Sequence, residues 1–303
     1  MNVIDLHQDI AGARLHPLLD IQTDFAQLEK ANTKIVFATG FALPDETLEA
    51  VIAKDFAFYN EQCAKSPSWK FIKTAEDLKS VMSDPSAHGI IFHIEGFPGF
   101  AGDWQLLEQW YRQGLRSAGL VWNEDNLLGG GTNSNIGLTE IGREFIAWCE
   151  ERNILIDLAH ANPTMFKDCV AAAKKPLFIS HGGLDSLVPS KRNYTNEQLK
   201  EVVAQGGVCG IFLAKSSMSA GEAFSVEDIA KHIKAAVDLL GEDAVALGTD
   251  FGGMISGTPQ GLSSISDIEN LWNELKILGF TSGQIEKIAF LNAQGYLETN
   301  LPR

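Results

Sequence analysis

The alternation of apolar runs with amphipathic segments constrains the fold of this chain more than any other feature of its sequence. Eight short runs lack the strict alternation of apolar and polar residues that is typical of a sheet with one solvent-exposed face. They therefore predict strands that are covered on both faces. The predicted strands are 3–9, 34–41, 89–96, 117–123, 154–160, 176–182, 207–213 and 244–251. Eight strand–helix units predict an α/β fold in which a parallel sheet closes as a single (β/α)8 TIM barrel.

The segments between these runs carry helix signals. Apolar residues recur at helical spacing in 225–240, and Thr195 with Gln198 has the spacing of a capping box. Gly206 follows the point where the helix that begins at Thr195 should end. At 303 residues the chain suits one barrel with insertions, so we expect a single domain over 1–303. An open doubly wound sheet remains an alternative, but no phosphate-binding glycine loop follows the first run.

Charge and cysteine usage limit the partners and the compartment. The formal net charge of −15 argues against nucleic acid and anionic lipid as partners. No run approaches the roughly 18 apolar residues of a membrane span, so we expect a cytoplasmic protein without a membrane partner. The oligomeric state, including a homodimer, stays open. Four widely spaced cysteines without a CxxC pair are expected to be reduced thiols: Cys63, Cys149, Cys169 and Cys209.

Five potential metal ligands lie at the downstream ends of predicted strands: His7, Asp9, Glu95, His160 and His181. A parallel barrel assembles its chemistry at the C-terminal ends of its strands, so we expect these side chains to converge there. A lone histidine on an apolar strand is more often a core residue, but two at equivalent strand ends favour ligation. A carboxylate has two oxygens, and Glu95 can therefore bridge two cations. Imidazole and carboxylate ligands together predict a site for two divalent ions.

Asp250 ends the eighth run in the segment ALGTDFGG. If other residues supply the ligands, a carboxylate here can accept a proton from a metal-bound water and return it to a leaving amine. A sixth ligand, or a turn-forming Asp before two glycines, is the structural alternative. The Gly- and Asn-rich segment 123–137 is interpreted either as a surface loop or as a mobile loop that covers the substrate.

A series of motifs spans nearly the whole chain: DLHQD, GLR, GLTEIGREF, ILIDLAHANPTM, PLFISHGG, KRN, GTDFGG and IEKIAFLNAQGYLE. In these motifs the chain resembles a known family, the membrane (renal) dipeptidases. Members of that family are binuclear zinc peptidases within the metal-dependent barrel hydrolases.

The resemblance implies a role for each candidate residue. His7 and Asp9 would bind one zinc ion, Glu95 would bridge both, and the second ion would be bound by His160 with His181. Asp250 matches the acid that handles the proton of the bridging water. Arg192 matches the arginine that grips the terminal carboxylate of the substrate, a task that suits a planar guanidinium.

One position departs from the family pattern. The best-known members use a histidine in the loop after the fourth strand to contact the substrate, and this chain has Trp122 and Asn123 there. Asn123 can donate a hydrogen bond to a carbonyl oxygen, but it cannot become cationic. The departure leaves the preferred substrate open.

Together these observations predict a binuclear metal-dependent dipeptidase in which a metal-bridging hydroxide attacks the peptide carbonyl. Two Zn²⁺ ions are the expected cofactors, although manganese, cobalt or iron would suit the same ligands. The resemblance implies small dipeptide substrates, including L-Xaa-D-Xaa. One alternative is hydrolysis of another amide, a lactam or a lactone. A second is a non-catalytic metal-binding regulatory barrel, against which the presence of Asp250 argues.

Overall fold

The computed structural model describes residues 1–13 and 22–303. All eight predicted strands are present, and two short strands, β3 and β8, were not predicted. The strands are β1 Val3–Gln8, β2 Thr33–Gly40, β3 Trp69–Phe71, β4 His88–Glu95, β5 Leu115–Gly119, β6 Leu155–Asp157, β7 Ile179–Leu184, β8 Asn193–Tyr194, β9 Cys209–Ile211 and β10 Val245–Leu247.

Helices occupy most of the connections between these strands. They are α1 Ile10–Ala13, α2 Phe25–Lys30, α3 Leu48–Lys65, α4 Ala75–Ser83, α5 Trp104–Gln113, α6 Glu140–Glu151, α7 Pro163–Ala172, α8 Asn196–Ala204, α9 Lys215–Met218, α10 Val226–Leu240, α11 Glu269–Ile277, α12 Ser282–Glu286 and α13 Asn292–Asn300. A 3₁₀ turn at Ile265–Asp267 precedes α11, and a π-helical turn at Lys287–Leu291 joins α12 to α13.

The chain forms two compact units. The first unit contains residues 1–36 and 179–296, and the second contains residues 37–178 and 297–303. Strand β2 and helix α13 run across the division. The single domain expected from the sequence stays a prediction.

In the first unit the strands lie in the order β1, β10, β9, β7, β8. Each of these pairings is parallel, and Asp5 of β1 is in register with Leu247 of β10. All residues of β1, β7, β9 and β10 are buried. Burial on both faces explains why their sequences are apolar runs rather than alternations.

The second unit has strands β3, β4, β5 and β6 in that order, again paired in parallel. Strand β4 is buried from Gly89 to Glu95, and Glu95 is its last residue. Helix α5 follows it and is capped by Asp103, whose carboxylate accepts from the amides of Gln105 and Leu106. Strand β4 therefore ends at a predicted site residue.

The helix signals read from the sequence are confirmed. Thr195 and Gln198 form a reciprocal capping box at the start of α8, and Gly206 after it has a φ of +87°. Ser225 and Asp228 form the equivalent box at α10. These local bonds fix where each helix begins after its strand.

Candidate active site

Four of the predicted site residues lie together in the first unit. His7 Nε2 is 3.6 Å from Asp9 Oδ2 and 3.8 Å from Asp250 Oδ1. The rings of His7 and His181 have centroids 4.0 Å apart. One potential ligand atom each from His7, His181 and Asp250 falls within a mutual distance of 4.8 Å. Two imidazoles and two carboxylates thus share one small space.

The chain reaches this arrangement through close backbone contacts after β10. The amide of Asp250 donates to His7 O at 3.0 Å, and the amide of Asp9 donates to Phe251 O at 2.8 Å. A Cβ on Gly253 would lie 2.5 Å from Asp9 Oδ2 and 2.8 Å from Asp250 Oδ1. The last glycine of GTDFGG is therefore required by the two carboxylates that face it.

The Asp250 side chain is 18% exposed, and its environment favours the neutral acid. Burial raises the pKa of this carboxyl to about 7, and the Asp9 carboxylate adds to the rise. The positive charges of His7 and Arg192 oppose it. A carboxyl with a pKa near neutrality can both accept and return a proton at neutral pH.

Arg192 lies directly before β8 and is half-buried. Its amide donates to Ser190 Oγ at 3.2 Å, and its guanidinium carbon is 5.6 Å from the ring centroid of Phe212. The adjacent Asn193 donates its amide group to Val188 O and Ser217 O, at 2.7 Å each. The backbone on which Arg192 stands is thus tied down, and its charge acts on Asp250.

Glu95 and His160 meet in the second unit, where His160 Nε2 is 2.9 Å from Glu95 Oε1. The other ring nitrogen, Nδ1, is 3.0 Å from Asn123 Oδ1 and 3.3 Å from Thr132 Oγ1. An oxygen acceptor at Nδ1 favours the tautomer with its proton there, which leaves a lone pair on Nε2. Asn123 therefore orients the imidazole, a contact that the sequence did not predict.

Trp122 is half-buried beside the same histidine. Its ring centroid is 6.0 Å from that of His160 and 4.9 Å from that of Phe41. A Cβ on Gly96, which has a φ of +73°, would lie 3.0 Å from the Trp122 amide nitrogen. The glycine after Glu95 thus lets the Trp122 backbone approach the end of β4.

His93 is fully buried in the second unit. Its Nδ1 is 2.9 Å from Ser117 Oγ, and its Nε2 is 3.6 Å from Asp157 Oδ2. Asp157 also accepts from the amide of Ala159 at 2.9 Å. This set supports the end of β6, from which the chain leads to His160.

Three of the six residues that were predicted at the ends of strands do not lie there. His160 and Asp250 each follow their strand by three residues, and His181 is the third residue of β7. The bond from Ala159 N to Asp157 Oδ1 turns the chain and ends β6 early. His160 and Asp250 both adopt a φ of +65°, which is uncommon for residues other than glycine.

The segment 123–137 is a hydrogen-bonded loop. Thr132 N donates to Trp122 O at 3.1 Å, and Asn162 Nδ2 donates to Gly130 O at 2.9 Å and to Ile136 O at 2.8 Å. The backbone of Gly130 and Gly131 packs so closely in this loop that a Cβ would lie 2.3 Å from Ile136 O or 2.0 Å from Trp122 O. The glycines of this loop are explained by close packing.

The donor set in each unit fits divalent metal ions. Among the described residues, Asp9 Oδ1 is a buried carboxylate oxygen without a hydrogen-bond partner, adjacent to the His7 ring. Buried carboxylates are otherwise paired or bound to a cation. Mixed imidazole and carboxylate donors are the ligands that zinc and its neighbours prefer.

All four cysteines are free thiols, and three of them are buried. Burial raises the pKa of the Cys209 thiol to about 12, which keeps it protonated and unreactive at neutral pH. Within residues 1–13 and 22–303, no helix has the length and apolar character needed to cross a bilayer.

Comparisons with known proteins agree on one family. The family model described as "Membrane dipeptidase (Peptidase family M19)" matches residues 1–299. An "Uncharacterized protein in pqqA 5'region" of Klebsiella pneumoniae is 31% identical over 231 residues, which are 72% of this chain and 84% of that protein. "Dipeptidase ataJ" of Aspergillus terreus is 35% identical over 140 residues, which are 46% of this chain and 34% of that protein.

Solved structures resemble the chain over its whole length. A metallo peptidase from Rhodobacter sphaeroides, liganded with a phosphinate mimic of the dipeptide L-Ala-D-Ala, has a TM-score of 0.89 at 23% identity and 99% coverage of both chains. A metallo peptidase described as "dipeptidase AC" has a TM-score of 0.90 at 24% identity, covering 100% of this chain and 99% of that one. This likeness confirms the α/β fold class, a (β/α)8 barrel.

Proposed function

Because the chain belongs to the membrane dipeptidase family, peptidase family M19, we propose that it hydrolyses small dipeptides with two bound Zn²⁺ ions. Membership makes the chain a metal-dependent hydrolase. The proposed ligands are His7 and Asp9 for one ion, Glu95 for both, and His160 with His181 for the other. The observation that carries the proposal is the cluster of His7, His181 and Asp250 in the first unit.

When bound, the ions supply Lewis acidity, which makes hydroxide available from water at neutral pH and polarises the scissile carbonyl. The residues of the chain divide the remaining work. Asp250 takes the proton of the attacking water and returns it to the leaving amine. Asn123 holds the His160 ring in the tautomer that leaves Nε2 available.

Arg192 is proposed to bind the terminal carboxylate of the dipeptide. Arg192 is half-buried with its guanidinium near the Phe212 ring, and its backbone is anchored through Ser190 and Asn193. A planar guanidinium pairs with two carboxylate oxygens at once, so it would fix the far end of the substrate. This contact distinguishes dipeptides with a free carboxylate from amides without one.

The substrate class is proposed as dipeptides of the L-Xaa-D-Xaa type. The Rhodobacter sphaeroides structure, of the same fold, binds a mimic of L-Ala-D-Ala, which supports this choice. The aromatic pair of Trp122 and Phe41 forms an apolar surface beside His160. It lies where the best-known family members have a histidine that contacts the substrate. We therefore expect an uncharged side chain to lie there.

A dipeptide panel tests the proposal. Purified protein supplied with zinc is assayed on matched L-Xaa-L-Xaa and L-Xaa-D-Xaa pairs, alongside a lactam, a lactone and an N-acyl amino acid. Hydrolysis of dipeptides, with the L-Xaa-D-Xaa member of each pair accepted, is expected. Turnover of the lactam or lactone alone would favour the alternative hydrolase, and no turnover of any compound would favour a regulatory protein.

The remaining expectations from the sequence stay predictions. They are a single domain over 1–303, a cytoplasmic location and a homodimer as one of the open oligomeric states. Size-exclusion chromatography with light scattering measures the last of these directly.

A further inference from the structure

Asp5 is a fully buried carboxylate that is not one of the proposed metal ligands. Its Oδ2 accepts from Gln8 Nε2 and from Thr249 Oγ1, at 2.6 Å each. Its Oδ1 accepts from the amides of Thr249 at 2.9 Å and His7 at 3.2 Å. Four donors occupy the four lone-pair positions of a carboxylate, so Asp5 is committed to these bonds.

These bonds join β1 to the segment that follows β10. Two of the four donors belong to Thr249, the residue directly before Asp250, while the other two come from His7 and Gln8 of β1. Gln8 Oε1 accepts from Thr23 Oγ1 at 2.5 Å, which orients the Gln8 amide so that its nitrogen faces Asp5. The carboxylate thus fixes the residue on the N-terminal side of Asp250.

A second side chain holds the C-terminal side of the same segment. Gln22 Oε1 accepts from the amide of Gly252 at 2.9 Å, and Gln22 Nε2 donates to Met254 O at 2.9 Å. Between the two clamps Asp250 adopts a φ of +65°, a conformation that costs a non-glycine residue about 1 kcal/mol or more. Residues in this conformation persist when the surrounding contacts determine them.

We propose that Asp5 is a positioning residue that acts through Thr249 to hold Asp250 in its left-handed conformation. The carboxyl of Asp250 is thereby aimed at His7, 3.8 Å from Nε2. This inference rests on the proposed function, in which Asp250 carries the proton. Its specific content is that the hydroxyl of Thr249, which touches no reacting atom, controls the rate of proton transfer.

Variants at Thr249 separate this role from a general packing role. Thr249→Val removes the hydroxyl but keeps the shape, whereas Thr249→Ser keeps the hydroxyl and removes a methyl group. Thr33→Val makes the same exchange at another fully buried threonine, in β2. The measurements are kcat and KM on L-Ala-D-Ala, zinc content, and amide hydrogen exchange at residues 249–252 in the metal-free protein.

For Thr249→Val we expect kcat to fall about tenfold or more with KM nearly unchanged. A displaced Asp250 carboxyl reduces the stabilisation of the transition state but does not affect substrate binding. Zinc content should stay at the wild-type level. Amide exchange at Asp250 and Phe251 should become about tenfold faster. Thr249→Ser should restore both readouts, and Thr33→Val should change neither.

Equal kcat and equal exchange in Thr249→Val and Thr249→Ser would overturn the proposal. If Thr249→Val does not fold, Asp5→Asn, which removes one acceptor oxygen at constant size, carries the same expectation and the same contrary result. A wild-type protein without dipeptidase activity would overturn the proposed function instead. In that case the exchange at Asp250 still decides whether the Asp5–Thr249 contact holds the segment.

Discussion

His160 and Asp250 share one backbone conformation, with a φ of +65° at both residues. Each follows a three-residue parallel strand by three positions, and each has a proposed chemical role. Left-handed backbone at residues other than glycine is concentrated at functional sites, where the surrounding structure maintains it. The turn that follows each strand therefore aims the side chain.

Asp250→Asn is expected to abolish turnover while leaving the fold and the zinc content largely intact. Asparagine has the same size and tolerates the left-handed region, but its amide cannot accept and return a proton. Turnover on L-Ala-D-Ala, zinc by mass spectrometry and the thermal midpoint are the measurements. Loss of zinc together with activity would make Asp250 a ligand instead.

The pKa of Asp250 also predicts how stability depends on pH in the metal-free protein. The folded carboxyl has a pKa of about 7 against 3.8 for the free group, chiefly because of burial. Between these values the folded state keeps a proton that the unfolded state has released. The contribution of Asp250 to the free energy of unfolding is therefore greatest below pH 3.8 and decreases as the pH rises toward 7. The total decrease is about 4 kcal/mol, because each unit of pKa difference corresponds to about 1.36 kcal/mol.

Urea unfolding of the metal-free wild type and of Asp250→Asn at pH 4 and pH 8 measures this dependence. Subtracting the variant from the wild type isolates the contribution of Asp250. A difference that does not change between the two pH values would contradict the assigned pKa.

His232 on α10 predicts a dependence of the opposite sign. Burial lowers the pKa of this imidazole to about 4 from 6.5. The neutral His232 contributes fully to the free energy of unfolding above pH 6.5, the pKa in the unfolded state. This contribution is lost as the pH falls toward 4, because the unfolded state binds a proton at a higher pH than the folded state does. The loss amounts to about 3 kcal/mol. His232→Gln should flatten this part of the unfolding profile between pH 7 and pH 4, and an unchanged slope would refute the expectation.

Gly253→Ala tests the close approach of the two carboxylates in the first unit. A Cβ there would lie within 2.8 Å of Asp9 Oδ2 and Asp250 Oδ1, so both carboxylates must move. We expect zinc binding and kcat to fall together, about tenfold or more. Gly283→Ala on α12, where no atom lies within 4 Å of the added Cβ, is the matched control and should retain both. Full zinc content and full activity in Gly253→Ala would show that this close approach is not needed for metal binding or turnover.

Arg192→Ala is expected to raise KM for dipeptides with a free terminal carboxylate by about ten- to a hundredfold, the value of a charge-assisted pair. Substrates with an amidated terminus should be affected much less, because they lack the partner. Arg112→Ala on α5, whose side chain is 77% exposed, is a control for loss of one positive charge. Equal losses on both substrate classes would argue against carboxylate binding.

The sequence was sufficient for the parts of the fold that depend on local pattern. Apolar runs predicted eight strands, whereas β3 and β8 have only three and two residues and leave no such pattern. The left-handed turns at His160 and Asp250 could not be predicted, because distant contacts impose them. Thr249 and Asp5, for example, are 244 positions apart.

The role of Asn123 shows the same limit on prediction. Its amide was expected to donate to a substrate carbonyl, and the structure places its oxygen 3.0 Å from His160 Nδ1, 37 positions away. An amide can donate through its nitrogen and accept through its oxygen at once, so the two roles are compatible. Sequence pattern identifies the residue type but not the direction of its side chain.

The most direct test of the central claim is a zinc titration of the metal-free protein. Chelator-treated protein is titrated with Zn²⁺ while hydrolysis of L-Ala-D-Ala and bound zinc are measured together. The account predicts that activity is lost on chelation and returns to a plateau at two zinc ions per chain. Activity that persists without metal, or a chain that binds no zinc, would contradict it.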